Sequence, residues 1–264
     1  GMSFSKSLGQ NFLIDRNQLV AIVDAGLEGT PDGARVLEIG PGLGVLTEEL
    51  LRRGCKVTAV EKDPVLAGRL FESLGSPENL TVIEADALDY IATTLKKAPA
   101  DDFPFEAMVS NLPYQAGTRI LLELVKLRNP PMMTQLVQSE VADRISAKEG
   151  SKSRGLSGVW AQLDYDAKIV RKVSANCFWP RPEIGSAVIN LVRHSRNINL
   201  SPEERAVFYN LTKKAFEHRR KQLGTIFKNL IQSTARAEEL SNSDWVALTQ
   251  ELVKAGGESE GTGK

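Results

Sequence analysis

Two cysteines, Cys55 and Cys177, and two histidines, His194 and His218, are all that occur in 264 residues. So few cysteines exclude a disulfide framework or a cysteine-rich metal site. Neither histidine has a partner at metal-ligand spacing, so no metal is expected. No apolar run reaches the roughly 18 residues that a membrane-spanning helix needs. The N-terminus also lacks the basic-then-apolar pattern of a secretory signal. No membrane partner is therefore expected, and the cytoplasm is the expected compartment. Gly1 ahead of Met2 reads as a remnant of cloning. Internal repeats are lacking, and no Ser–His–Asp or paired-carboxylate arrangement for hydrolysis stands out.

Net charge is lacking too, since 33 basic side chains balance 33 acidic ones. Distribution matters more than the sum. Residues 61–106 carry ten acidic and four basic side chains, whereas residues 168–196 carry six basic and one acidic. Residues 195–233 add eight basic against three acidic. Two adjacent basic blocks of this kind suit a nucleic-acid partner, although a solvated surface accounts for any single charge.

What is present is alternation. Short β-branched runs at Arg35–Ile39, Lys56–Val60, Leu80–Glu84, Glu106–Ser110, Met133–Gln138, Ala167–Val173 and Ser186–Val192 read as strands. Helical periodicity fills Arg16–Leu27, Leu46–Arg53, Pro64–Leu74, Thr118–Lys126 and Val141–Ala147. Strands separated by helices predict an α/β fold, a doubly wound Rossmann-like parallel sheet. No helix is evident between the last two strands, so one of them is expected to run antiparallel. Past Asn199, Ser201-Pro202-Glu203-Glu204 is a helix start. Apolar residues at helical spacing from Val207 to Phe216 and from Leu223 to Leu230 then predict a small all-helical C-terminal domain. The expected division is 1–196 for the sheet domain, 197–254 for the helical one, and an acidic, glycine-rich disordered tail at 255–264.

The first strand runs into Gly40-Pro41-Gly42-Leu43-Gly44. Glycines let the backbone approach a nucleoside cofactor closely. Dinucleotide folds use such a loop as well, usually as Gly-x-Gly-x-x-Gly against a pyrophosphate. Here the spacing is Gly-x-Gly-x-Gly, and acidic residues follow three successive strands: Glu38 before the loop, Glu61 after the second strand, Asp86 after the third. Glu61 is placed to accept both ribose hydroxyls and Asp86 to accept from an adenine amino group. That set suits a cationic cofactor without phosphates, S-adenosylmethionine, better than a nicotinamide dinucleotide. The plainer reading makes Glu61 and Asp86 helix caps.

Asn111-Leu112-Pro113-Tyr114 follows the fourth strand, at the carboxyl edge where open α/β sheets bind ligands. A flat exocyclic amine is a poor nucleophile, because its lone pair is delocalised into the ring. Acceptors aimed at its two hydrogens favour a pyramidal nitrogen. The Asn111 side-chain oxygen and the Leu112 carbonyl can supply them, with Pro113 fixing the turn and Tyr114 stacking on the base. An ordinary strand-ending turn uses the same residues.

These motifs resemble the ribosomal-RNA adenine N6,N6-dimethyltransferases (the KsgA type). So do Leu8-Gly9-Gln10-Asn11-Phe12-Leu13, Phe178-Trp179-Pro180-Arg181-Pro182 and the stretch Phe216–Leu223. The resemblance runs in family order from Lys6 to about Leu230. It implies a class I methyltransferase sheet, with Asn11, Leu13, Gly40, Gly42, Glu61, Asp86, Ala87 and Asn111 around S-adenosylmethionine. Asn111, Leu112, Pro113 and Tyr114 would hold the target adenine and Phe178 would stack on its other face, where a buried loop anchor is the plainer fate of that ring. Arg219, Arg220 and Lys221 would contact phosphates, although such a run is usually a solvated helix face.

The implied substrate is a pair of adjacent adenosines in a hairpin loop near the 3′ end of small-subunit (16S-type) rRNA, free or in a pre-30S-type particle. Each would become N6,N6-dimethyladenosine, and a monomer is expected. The chain departs from the family at Gln115-Ala116-Gly117, at Arg154 (where Tyr is common), at Gly185 and at Gly224-Thr225. Three other readings compete. The first is a large-subunit methylase of the erythromycin-resistance type, against which Leu112 and the Leu8–Leu13 start weigh. The second is an assembly factor acting through RNA binding, and the third, disfavoured by the glycine spacing, is a nicotinamide-dependent oxidoreductase.

Overall fold

The computed structural model describes residues 11–99, 102–114, 116–196, 198–228 and 230–261, with side chains through residue 256. Leu8, Gly9 and Gln10 of the N-terminal motif, Gln115, and tail residues 262–264 lie outside the described residues. The chain runs β1 (Phe12–Leu13), α1 (Arg16–Leu27), β2 (Arg35–Ile39), α2 (Val45–Arg52), β3 (Lys56–Glu61), α3 (Pro64–Ser73), β4 (Leu80–Glu84) and α4 (Ala87–Thr93). It continues β5 (Ala107–Asn111), α5 (Gly117–Val125), β6 (Met132–Gln138), α6 (Ser139–Ser146), α7 (Leu156–Asp164), β7 (Tyr165–Val173), β8 (Phe178–Trp179) and β9 (Ser186–Arg193). Last come α8 (Pro202–Glu217), α9 (Leu223–Ile226) and α10 (Asn242–Gly261).

The main sheet has seven strands in the order β4-β3-β2-β5-β6-β9-β7. The first five strands of that order are parallel, and β9 runs antiparallel to both β6 and β7. One antiparallel strand among the last two is what their short connection required. The order reverses between β2 and β5, which opens a crevice at the carboxyl ends of the strands. Val36, Leu37 and Ile39 of β2 are buried on both faces, as a central parallel strand under two helical layers demands. The edge strand β7 instead exposes Lys168, Val170, Arg171 and Lys172, and its register shifts between Ile169 and Arg171. Charge and a bulge are devices that discourage edge-to-edge pairing. Expected bounds for β2, β4 and α1 coincide with those observed, and the other elements expected before Asn199 lie within one or two residues.

Two compact units emerge. One comprises the chain up to Ala142 together with Tyr165–His194; the other comprises Asp143–Asp164 together with Ser195–Lys264. The segment Asp143–Asp164, expected to belong with the sheet, falls in the helical unit because its side chains are satisfied there. Within that unit, Trp160 donates to Thr212 Oγ1 at 2.9 Å and its ring packs edge-on against Tyr209, centroids 5.1 Å apart. Asp164 takes both guanidinium nitrogens of Arg205 at 2.8 Å. Ser201 and Glu204 form a reciprocal capping box at the start of α8, as their spacing predicts.

The helix expected to continue through the basic run stops at Glu217. Leu223 and Gly224 then donate to the carbonyls of Ala235 and Ser233, each at 2.9 Å. A Cβ on Gly224 would lie 2.9 Å from the Ser233 carbonyl, so this close backbone approach requires the glycine. The backbone of α10 runs to Gly261, into the stretch expected to be disordered. Once a helix is nucleated, each added residue gains a hydrogen bond. Among the described residues no helix is long and apolar enough to cross a membrane.

Candidate active site

A cavity of about 250 Å3 opens at the carboxyl ends of β2, β3, β4 and β5. Its floor is the glycine loop. Gly42 has φ +57°, and a Cβ there would meet the Phe12 ring at 3.0 Å. Gly44, at φ +82°, is the left-handed N-cap of α2. Both positions select glycine by conformation and by space, since a Cβ on Gly44 would meet Leu70 Cδ1 at 2.6 Å. Gly40 and Gly42 line the cavity beside Asn11, Leu13, Asp86 and Ala87, all expected there.

Three carboxylates line the cavity, each held differently. Glu61 ends β3, and its two oxygens accept from the backbone N–H groups of Gly42 (3.1 Å) and Asp63 (2.9 Å). It thereby ties the glycine loop to the start of α3, which is capped by Asp63 and not by Glu61. Asp86 does cap a helix, accepting from Leu88 N at 2.8 Å, while Lys62 pairs with its other oxygen at 2.8 Å. The Lys62 ammonium and the backbone bond hold the Asp86 carboxyl below its ordinary range despite some burial. Capping and cavity lining thus coexist in Asp86. Glu38 is 1% exposed, with Thr47 donating to it at 2.6 Å. Burial lifts its pKa to about 8 against the Thr47 hydrogen bond, with a smaller push from the Glu61 charge.

The opposite wall is Asn111-Leu112-Pro113-Tyr114. Asn111 ends β5, and its side-chain nitrogen donates to the Asn11 carbonyl at 3.3 Å. That bond engages the amide nitrogen; among the described residues Oδ1 has no hydrogen-bond partner, and Asn111 lines the cavity. Leu112 N donates to the Leu136 carbonyl of β6 at 3.1 Å, and Gly117 N to the Pro113 carbonyl at 2.7 Å. The turn is thus pinned at both ends. Tyr114 shares a hydrogen bond with Ser186 at the start of β9, so its ring is held from a second strand. Burial raises the Tyr114 pKa, with Ser186 opposing. Acceptors on one wall and acidic side chains on the other, around one cavity, suit a cationic cofactor beside an amine.

The model of one family, ribosomal RNA adenine dimethylase, matches residues 1–255 of the chain. The chain belongs to that family. A ribosomal RNA small subunit methyltransferase A from Bacillus licheniformis is 39% identical over 241 residues, covering 90% of this chain and 80% of the relative. Among solved structures, a dimethyladenosine transferase from Plasmodium falciparum superposes with a TM-score of 0.76 at 23% identity, covering 93% of this chain and 98% of the other. The 23S rRNA methyltransferase ErmE gives 0.67 at 23% identity, covering 92% and 100%. Both share the class I methyltransferase fold, and the family's cofactor is S-adenosylmethionine.

Not every residue that the dimethylase motifs single out reaches the cavity. Phe178, expected to stack on the adenine, is 2% exposed and belongs to the core cluster with Leu13 and Cys177. The pairing of β8 with β1 turns its ring inward. Arg219 is engaged internally: its guanidinium donates to the Lys152 carbonyl at 2.5 Å and pairs with Glu238 at 3.5 Å. Arg220 and Lys221 are exposed.

Arg154, where the family commonly has Tyr, is a buried hub of the helical unit. It donates to the Ala147 carbonyl at 3.2 Å and to Asn242 Oδ1 at 2.7 Å. Burial lowers its pKa, with the Glu149 charge opposing. Three contributors went unread in the sequence: Phe12 over Gly42, Lys62 on Asp86, and Ser110, whose hydroxyl accepts from Ile39 N at 2.9 Å. Lys62, directly after the strand-ending Glu61, was the legible one of the three.

Proposed function

We propose that this dimethylase transfers methyl groups from S-adenosylmethionine to N6 of two adjacent adenosines in a hairpin loop near the 3′ end of small-subunit rRNA. Each adenosine becomes N6,N6-dimethyladenosine. The observation carrying this reading is Asn111 itself: its side-chain nitrogen is bound back to Asn11, and the residue lines a cavity that Glu38, Glu61 and Asp86 also line. When bound, S-adenosylmethionine supplies an electrophilic methyl on a sulfonium. The residues around it bind and orient.

Glu61 accepts the ribose hydroxyls through the lone pairs that Gly42 and Asp63 leave open. Asp86 accepts the adenine amino group of the cofactor, and Ala87 borders that base. Asn111 Oδ1 and the Leu112 carbonyl accept the two hydrogens of the substrate amine and hold its nitrogen lone pair in line with the methyl. The Tyr114 ring packs on the substrate base. Catalysis by this set is positioning and electrostatic stabilisation, with no covalent intermediate on the enzyme. Single-stranded loop bases are the accessible targets for such a pocket. Arg220 and Lys221 contact phosphates. The enzyme works in the cytoplasm as a monomer on small-subunit rRNA or a pre-30S-type particle.

The small-subunit name of the Bacillus relative weighs against the large-subunit alternative, since the fold is common to both kinds. The direct test incubates the enzyme with methyl-labelled S-adenosylmethionine and unmethylated small subunits, followed by nucleoside analysis. Dimethyladenosine in small-subunit RNA is expected. Label confined to large-subunit RNA would reject the reading.

A further inference from the structure

The β1–β8 ribbon opposes Phe12 to Trp179 and Leu13 to Phe178. Directly opposed residues of an antiparallel pair project to the same face. Leu13 and Phe178 share the face that enters the core. Phe12 and Trp179 share the other: Phe12 lines the cavity above Gly42, and Trp179 is 53% exposed. The ribbon therefore buries the aromatic expected to meet RNA and presents its neighbour.

The sequence leading to and past Trp179 is rich in basic side chains. Between Ala167 and Pro182 the chain carries Lys168, Arg171, Lys172 and Arg181 and no acidic residue; Glu183 is the first acid beyond. All four cations are exposed. Arg171 and Lys172 sit at the end of β7 that leads into β8, and Arg181 follows Pro180. Pro180 and Pro182 restrict the loop that holds the indole. An exposed aromatic within a cationic strip is how single-stranded nucleic acid is held without base readout, with a base on the ring and phosphates on the charges.

We propose that Trp179 is the stacking platform for the RNA base adjacent to the adenine in the cavity, with Lys172 and Arg181 on the flanking phosphates. This rests on the RNA-methylating function above and adds a substrate subsite to it. Drawing one adenine into the cavity strips its neighbour of a stacking partner, and the indole replaces it. With two adjacent adenosines to modify, the platform also sets which of them enters.

The test measures steady-state transfer to unmethylated small subunits by Trp179→Ala, Trp179→Leu and Trp179→Phe, together with S-adenosylmethionine affinity by calorimetry. Alanine and leucine are expected to raise KM for the subunit about tenfold, with phenylalanine within about threefold of wild type. Cofactor affinity should not move in any of the three. Leucine keeps apolar bulk without a π face, so rescue by leucine overturns stacking. An unchanged KM in the alanine variant, or a parallel loss of cofactor affinity, overturns the platform. A wild-type dimer that Trp179→Ala dissolves would assign the patch to a second copy and overturn it too. Absence of wild-type transfer to small subunits would instead defeat the functional reading itself.

Discussion

Glu38 in the sheet unit and Arg205 in the helical unit are both nearly sealed from solvent, yet they carry burial in opposite ways. Arg205 meets Asp164 through two parallel hydrogen bonds of 2.8 Å. Burial works against its charge, but the bond and charge of Asp164 outweigh that and raise its pKa. Among the described residues Glu38 has a hydroxyl, Thr47, and no cation, so burial prevails and lifts its pKa to about 8. Arg205 is thus neutralised by pairing, whereas Arg154 of the same unit is met by neutral acceptors. The sheet unit leaves a carboxyl without a counter-charge in the wall of the cavity. A cationic ligand bound beside it would favour its ionised form and lower that pKa.

The largest expected effect breaks the paired side. Asp164→Ala strands a buried guanidinium and should lower the unfolding free energy by about 3–5 kcal/mol in urea titrations. The double variant Arg205→Met/Asp164→Leu should recover most of that loss, since packed apolar replacements of buried pairs are often neutral.

Next comes the cavity. Asn111→Ala should cut methyl transfer by about 10²- to 10³-fold, as removal of one well-placed polar group does. RNA retention on filters should stay within about threefold, which separates an enzyme from a pure binding factor. Unimpaired transfer would refute the assigned role of Asn111.

Glu38→Gln sharpens the unpaired side. In the unfolded chain this carboxyl loses its proton near its ordinary value of 4.5, whereas in the fold it keeps it to about 8. Between those values the folded state binds the extra proton, so stability falls as pH rises. Thermal and urea melts from acidic to mildly alkaline pH should show wild type losing about 1.4 kcal/mol per pH unit relative to Glu38→Gln.

The smallest effect concerns surface charge in the helical unit. Arg220→Ala/Lys221→Ala should weaken RNA binding several-fold and flatten the salt dependence by about one to two phosphate contacts. Arg219→Ala, whose guanidinium is engaged by Lys152 and Glu238, should change stability more than that slope.

The parallel sheet and its cavity were legible because their signals are local. An apolar run ending in glycines, an acid at the carboxyl end of each of three strands, and Asn-Leu-Pro-Tyr at a fourth strand end are all contiguous patterns. Strand order then brings them together at the carboxyl edge. The helical segment α7 was missed because Gly155 and Gly158 interrupt its pattern. A Cβ at Gly158 would lie 2.5 Å from the Arg144 carbonyl, so that glycine answers to tertiary packing and not to helix propensity. The inward turn of Phe178 was not legible for a related reason. Adjacent aromatics in a strand face opposite ways, and the sequence does not say which faces in.

By itself the sequence determined the alternation of strands and helices, the left-handed glycine loop and the identities of the cavity's acceptors. Those depend on near neighbours and on backbone sterics. Tertiary structure decided that Asp143–Asp164 joins the helical unit, that Trp179 and not Phe178 faces solvent, and that burial raises the Glu38 pKa. Each of these depends on partners far along the chain, through strand pairing, long-range ion pairs or the exclusion of water, and none of those is encoded in any single stretch of residues.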